Sequence, residues 1–111
     1  MAVFSRDRLR GTLELLVLRT LAWGPRHGYA IARWLEESSK EAIHVEEGSL
    51  YPALYRMEQR GLVSSDWQTS ELGRPAKFYA LTPAGRRHLK QETANWFAFA
   101  AAVSLVLEPA R

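Results

Sequence analysis

From Trp96 to Leu107 every position but Ser104 is apolar. A helix that is apolar on all its faces must be covered on all of them. The run is 12 residues long, short of the ~20 that a bilayer span requires. Its cover therefore has to be protein. Leu89, Thr93, Trp96, Ala100, Val103 and Leu107 recur at alternating steps of four and three, a heptad-like seam. Phe97, Phe99, Ala101, Ala102, Leu105 and Val106 spread apolar groups over the remaining faces. The chain has 111 residues, 47% of them hydrophobic, which is one domain's length. A domain of that size buries only about two-thirds of its unfolded surface, too little to wrap a tail helix as well. A second copy packing through Leu89, Trp96, Ala100, Val103 and Leu107 is the expectation; an intramolecular core helix is the alternative.

The rest of the chain reads as short elements. Leu9, Leu13, Leu16, Val17, Thr20 and Leu21 form one helical stripe between about Arg8 and Trp23, which Gly24-Pro25 ends. A second helix is expected over Gly28 to Ser39, with Ile31 and Leu35 one turn apart. Ile43-His44-Val45 is β-capable. A third helix follows to about Arg60, with Leu50, Leu54 and Met57 inward and Gly61 as its C-terminal glycine. Pro52 is tolerated only within the first turn, so this helix is expected to start near Gly48 or Ser49, with Ser49 as N-cap. Two strands, Leu62 to Thr69 and Ala76 to Leu81, flank the turn-rich Ser70 to Pro75. Thr82-Pro83 is an N-cap followed by proline, opening a last helix from Pro83 to about Leu107. The predicted class is mainly α with a small β-hairpin (α+β), divided into residues 1–82 and a C-terminal helix, 83–111. Trp23 and Trp67 are expected in the core and Trp34 partly exposed.

Three helices followed by a hairpin are the layout of a winged helix-turn-helix, whose third helix enters the major groove. Ser49, Tyr51, Ala53, Tyr55, Arg56 and Gln59 fall on the outer or flanking faces of that helix, and Ser49, Tyr51, Tyr55 and Arg56 offer donors to phosphates. An ordinary amphipathic helix with a solvated face satisfies the same pattern. Fifteen basic residues, twelve of them arginine, oppose twelve acids for a net charge of +3. From Arg74 to Lys90 there are five bases and no acid, and Gly73-Arg74-Pro75 sets an arginine at the tip of the hairpin, where it suits a minor groove. Lys77 follows two residues after Pro75.

The segment Leu13 to Trp23 with Gly24-Pro25-Arg26-His27-Gly28-Tyr29-Ala30-Ile31 resembles the opening of PadR-like transcriptional regulators. Glu47-Gly48-Ser49-Leu50-Tyr51-Pro52-Ala53-Leu54-Tyr55-Arg56-Met57 is similar to that family's recognition helix, and Tyr79-Ala80-Leu81-Thr82-Pro83-Ala84-Gly85 to its junction between wing and last helix. The resemblance runs from about Gly11 to Leu107. It implies a winged helix-turn-helix with a long dimerisation helix, and a homodimeric repressor that binds double-stranded DNA at an inverted-repeat operator and responds to small aromatic ligands. On this chain it places Tyr29, Ser49, Tyr51, Pro52 and Tyr55 on the DNA side, with Arg74 and Lys77 on the wing. It gives Trp96 either a plain dimer-core role or one wall of a ligand pore at the dimer centre.

Catalysis has no constellation to rest on. His27, His44 and His88 lack metal-ligand spacing, and Glu36/Glu37 and Glu46/Glu47 are sequence neighbours that point apart. No phosphate-cradling glycine loop occurs, so no enzyme, metal or cofactor is expected. There is no cysteine, and Met1 to Phe4 lead directly into Arg6, Asp7, Arg8 and Arg10 without an apolar leader. The expected setting is cytoplasmic. A winged-helix module for protein–protein contacts, without an operator, is the rival reading.

Overall fold

The structure is a computed structural model that describes residues 11–108. Helix α1, Leu13–Leu21, buries Val17, Leu18, Thr20 and Leu21. The expected start at Arg8 lies outside the described residues. Thr20, fully buried, donates its hydroxyl to the Leu16 carbonyl at 2.9 Å, so a polar side chain sits in the core without an unmet hydrogen bond.

After the Gly24-Pro25 turn the chain forms β1, Arg26–His27, and then α2, Gly28–Ser38. His27 is the N-cap of α2: its Nδ1 accepts from the Ala30 amide at 3.1 Å. Residues 43–45 do not form the expected strand; Ile43 makes only an isolated bridge, and Val45 joins the core.

Helix α3, Glu47–Gln59, has Glu46 as N-cap, and no side chain caps it. The helix thus starts earlier than Pro52 alone would allow, and Ser49 lies inside it. Leu50 donates to the Glu46 carbonyl at 2.9 Å, while Pro52, lacking an N–H, gives up only the bond to Gly48. The other end closes with Gly61 at φ 75°. Its amide meets the Glu58 carbonyl, and the Leu62 amide meets Met57 at 2.9 Å, the pairing that a left-handed C′ residue makes possible.

Strands β2, Val63–Thr69, and β3, Pro75–Leu81, form the hairpin. With β1 they make a three-stranded antiparallel sheet in the order β1-β3-β2, with Arg26 opposite Tyr79 and Trp67 opposite Lys77. Helix α4 spans Pro83–Leu107. Thr82 caps it by accepting from the Gly85 amide at 3.0 Å, and donates to the Gly61 carbonyl at 2.6 Å. One side chain thus ties the end of α3 to the start of α4. Gly85 allows this close approach, since a Cβ there would fall on the Leu62 carbonyl.

The core joins α1, α2, α3, the base of the hairpin and Leu89 of α4. Leu89, expected on the intermolecular seam, is therefore covered by its own chain. Beyond it α4 projects, and the molecule extends over 59 × 33 × 21 Å. Trp67 is 67% exposed and Trp23 64%, not core residues as expected. Trp67 lies on the half of β2 that outreaches the body, and Trp23 follows α1 where the Arg19 guanidinium stands over its ring at 5.4 Å. Trp34 is half-buried. Among the described residues no helix is long and apolar enough to cross a membrane.

Candidate nucleic-acid interface

Helix α3 turns Leu50, Leu54 and Met57 into the core, and Ala53 with them, not outward as expected, because it lies one turn from Leu50 and Met57. That leaves Gly48, Pro52, Tyr55 and Gln59, spaced four, three and four apart, as an outward stripe, and all four are exposed. The residues on either side of the stripe are held by different neighbours.

On one flank Tyr51 packs against the first residue of α2. A Cβ on Gly28 would occupy the place of the Tyr51 ring and hydroxyl, so glycine there lets α2 and α3 meet. Tyr29, exposed, stacks on His27 with ring centroids 6.5 Å apart. The cleft between this corner and the hairpin, about 850 Å3, is lined by Tyr29, Tyr51, Arg33, Trp67, Lys77 and Tyr79 among others. Burial, with Glu47 second, holds the Tyr51 phenol above the usual 10.0; burial, then Glu58 and Tyr51, raises Tyr79 likewise. Both stay protonated at neutral pH, and a protonated phenol can donate to a phosphate oxygen. Lys77 is 4.0 Å from Glu58 and stands over the Tyr79 ring at 5.9 Å. At the back of the cleft Arg26 covers Trp34 at 5.6 Å, and its Nη1 is buried with no hydrogen-bond partner among the described residues.

On the opposite flank Arg56 and Arg60 both reach Glu14 of α1, at 3.4 and 3.0 Å. Ser49, Pro52, Arg56 and Glu14 line a second recess of about 650 Å3. The residues singled out from the sequence thus divide: Tyr29, Tyr51 and Lys77 meet in the hairpin cleft, Ser49, Pro52 and Arg56 in the α1 recess, with Tyr55 exposed on the stripe between. Arg74 is exposed in the hairpin turn, where Gly73, at φ 76°, and the Ser70 amide to Arg74 carbonyl bond of 2.8 Å close the loop.

Gln59 is exposed on the outer face, as its position in the helix implied, whereas Arg60 and Trp67 were not expected at the site. Arg60 could have been found, since it lies four residues after Arg56 on the same face. Trp67 could not, because a tryptophan in a strand reads as core until the strand is known to overhang. Along α4, Trp96, Val103 and Leu107 are exposed and Ala100 half-buried. Trp96 meets its neighbour Phe97 edge to face at 5.3 Å. No group of three or more His, Asp or Glu side chains that could hold a metal occurs among the described residues.

The model of the transcriptional regulator PadR-like family matches residues 17–91. The chain is 35% identical over 88 residues to Transcriptional regulator Rv3488 of Mycobacterium tuberculosis, covering 78% of each protein. It is similar to the crystal structure of a PadR family transcriptional regulator from Eggerthella lenta, with a TM-score of 0.80 and 35% identity over 94% of this chain and 88% of that one. A transcriptional regulator from Clostridium thermocellum superposes with a TM-score of 0.84 at 25% identity, covering 93% of this chain and all of that one.

Proposed function

The chain belongs to the PadR-like family of transcriptional regulators, and on that premise we propose that it is a cytoplasmic repressor binding an inverted-repeat operator as a homodimer. The observation that carries this reading is the exposed stripe of α3, flanked by Tyr51, which shares a cleft with Trp67 and Lys77 of the hairpin. In the proposed complex Pro52 and Tyr55 face the major groove, while Ser49, Tyr51 and Arg56 hold phosphates on either side. Tyr29 and Lys77 take the backbone that runs through the hairpin cleft, and Arg74 at the hairpin tip enters the flanking minor groove.

The inverted repeat requires two copies with their α3 helices about one DNA turn, ~34 Å, apart. The distal turns of α4 supply the means: Trp96, Ala100, Val103 and Leu107 form the seam that a second copy covers. Trp96 is also the proposed contact for a flat aromatic effector that releases the DNA.

Binding to the DNA upstream of the protein's own gene tests the reading. Nanomolar affinity at physiological salt, well above that for unrelated duplex, is expected; equal affinity for both overturns operator recognition and favours a protein–protein module. For the effector, planar aromatics should quench tryptophan fluorescence in the wild type and not in a Trp96→Ala variant that still dimerises. No quenching in either removes the effector role.

A further inference from the structure

We propose that Glu14 acts as a specificity-determining residue, holding Arg56 and Arg60 of α3 off the phosphate backbone until a closely seated operator displaces it. The inference deepens the DNA-binding reading above and rests on it.

The two guanidiniums are the only cations on α3, counting Arg60 at its C-cap. Both are bound to one carboxylate from another helix: Glu14 Oε2 faces Arg56 Nε at 3.4 Å, and Oε1 accepts from Arg60 Nη1 at 3.0 Å. Each arginine side chain remains more than half exposed, whereas Glu14 is about two-thirds covered. The cations are thus the more accessible partners and the acid the more covered one. Exposed pairs of this kind are weak, so a phosphate brought to contact distance can replace the carboxylate. A duplex held loosely at a distance cannot, and it meets a flank whose two positive charges are halved to a net of one.

The same arrangement recurs on the other flank. Glu58 accepts from the Ser65 hydroxyl at 2.6 Å through Oε2, and its Oε1 lies 4.0 Å from Lys77. A recognition surface whose cations are countered in this way gives up sequence-independent attraction. Discrimination then rests on close contacts, since phosphate contacts set affinity and base contacts set sequence.

The test compares full-length wild type with Glu14→Gln, which keeps the shape and removes the charge. Affinity for random-sequence duplex and for the operator is measured against salt concentration. Each arginine released onto a phosphate steepens the slope of log K against log salt by about 0.9, worth about eightfold at ~0.1 M salt. Glu14→Gln is therefore expected to bind random duplex about eightfold tighter or more, with a slope steeper by about one to two, and to lose operator preference. The gain should vanish in Glu14→Gln/Arg56→Ala/Arg60→Ala, which separates released charge from any change of fold. An unchanged slope and affinity for random duplex, or weaker binding, in a folded Glu14→Gln overturns the proposal while leaving DNA binding intact. If the wild type binds neither duplex at low salt, the DNA-binding reading falls and this inference with it.

Discussion

The distal half of α4 is far more apolar than the body of the molecule, yet it is the body whose apolar side chains are covered. In the body the apolar side chains fall on single stripes, and their own chain closes over them: Val17, Leu18, Ile31, Leu50, Leu54 and Met57 are almost wholly inaccessible. Along α4 the same kinds of side chain go all the way round, and Leu105, Val106 and Leu107 remain 80, 83 and 76% exposed. The helix changes character between Leu89, which the body buries, and Trp96, which is 42% exposed. Hydrophobic content alone does not mark a core. A stripe does, because one face can be covered by neighbours while the other meets water.

The most damaging way to probe the contrast is to truncate the buried side. Leu54→Ala should cost about 2–5 kcal/mol, the range for a buried leucine that leaves a cavity, read as a lower denaturant midpoint. Leu105→Ala, measured at concentrations where the chain is monomeric, should stay within about 0.5 kcal/mol of wild type. Similar losses from both would mean that the distal helix packs on its own body after all. Next in size is the seam proposed for the second copy. Val103→Asp sets a charge where the partner would need an apolar surface, and self-association should weaken by about 100-fold, or about 2.7 kcal/mol. The helical signal and the monomer's midpoint should not move. Sedimentation of Val103→Asp as a tight dimer would place the seam elsewhere.

The sequence made the local features of both regions legible and missed the long-range ones. Thr82-Pro83 and Gly61 carry their caps in their own chemistry, and α4 runs over the expected Pro83–Leu107. The Leu50–Leu54–Met57 stripe is equally local. By contrast β1 is two residues long, Arg26–His27, and exists only because Tyr79 and Phe78 come to lie beside it. His27 shows the same limit from another side. Its side chain caps α2, yet histidine is not among the favoured N-cap residues. The candidate site was legible as a set of residues but not as an arrangement. Arg56 looks like a free donor until Glu14, 42 positions earlier, is found on it. Trp67 looks like core until β2 is seen to overhang.

Within the body, the hairpin tip and the phenols beside α3 give smaller effects. Arg74→Ala should weaken binding to all duplexes alike and flatten the salt slope by about one unit, without altering the oligomer. An unchanged slope would remove Arg74 from the phosphate or minor-groove contacts.

The finest distinction between the two regions is their response to alkali. Burial and Glu47 raise the Tyr51 pKa above 10.0, and Tyr79 is raised in the same direction. The folded body therefore favours the neutral phenols more than the unfolded chain does. Their contribution is fully present below pH 10 and is lost as the pH rises through the folded values. The stretch from Trp96 to Leu107 holds no ionisable side chain, so a seam built from it has nothing of its own to titrate there. Above pH 10 the unfolding midpoint of the monomeric chain should fall, and fall less in Tyr51→Phe, where Tyr79 alone of the two remains. Self-association of whatever fraction stays folded should hold level. An association constant that drops in step with the midpoint would show that the contact between copies runs through the body, not through the distal turns of α4.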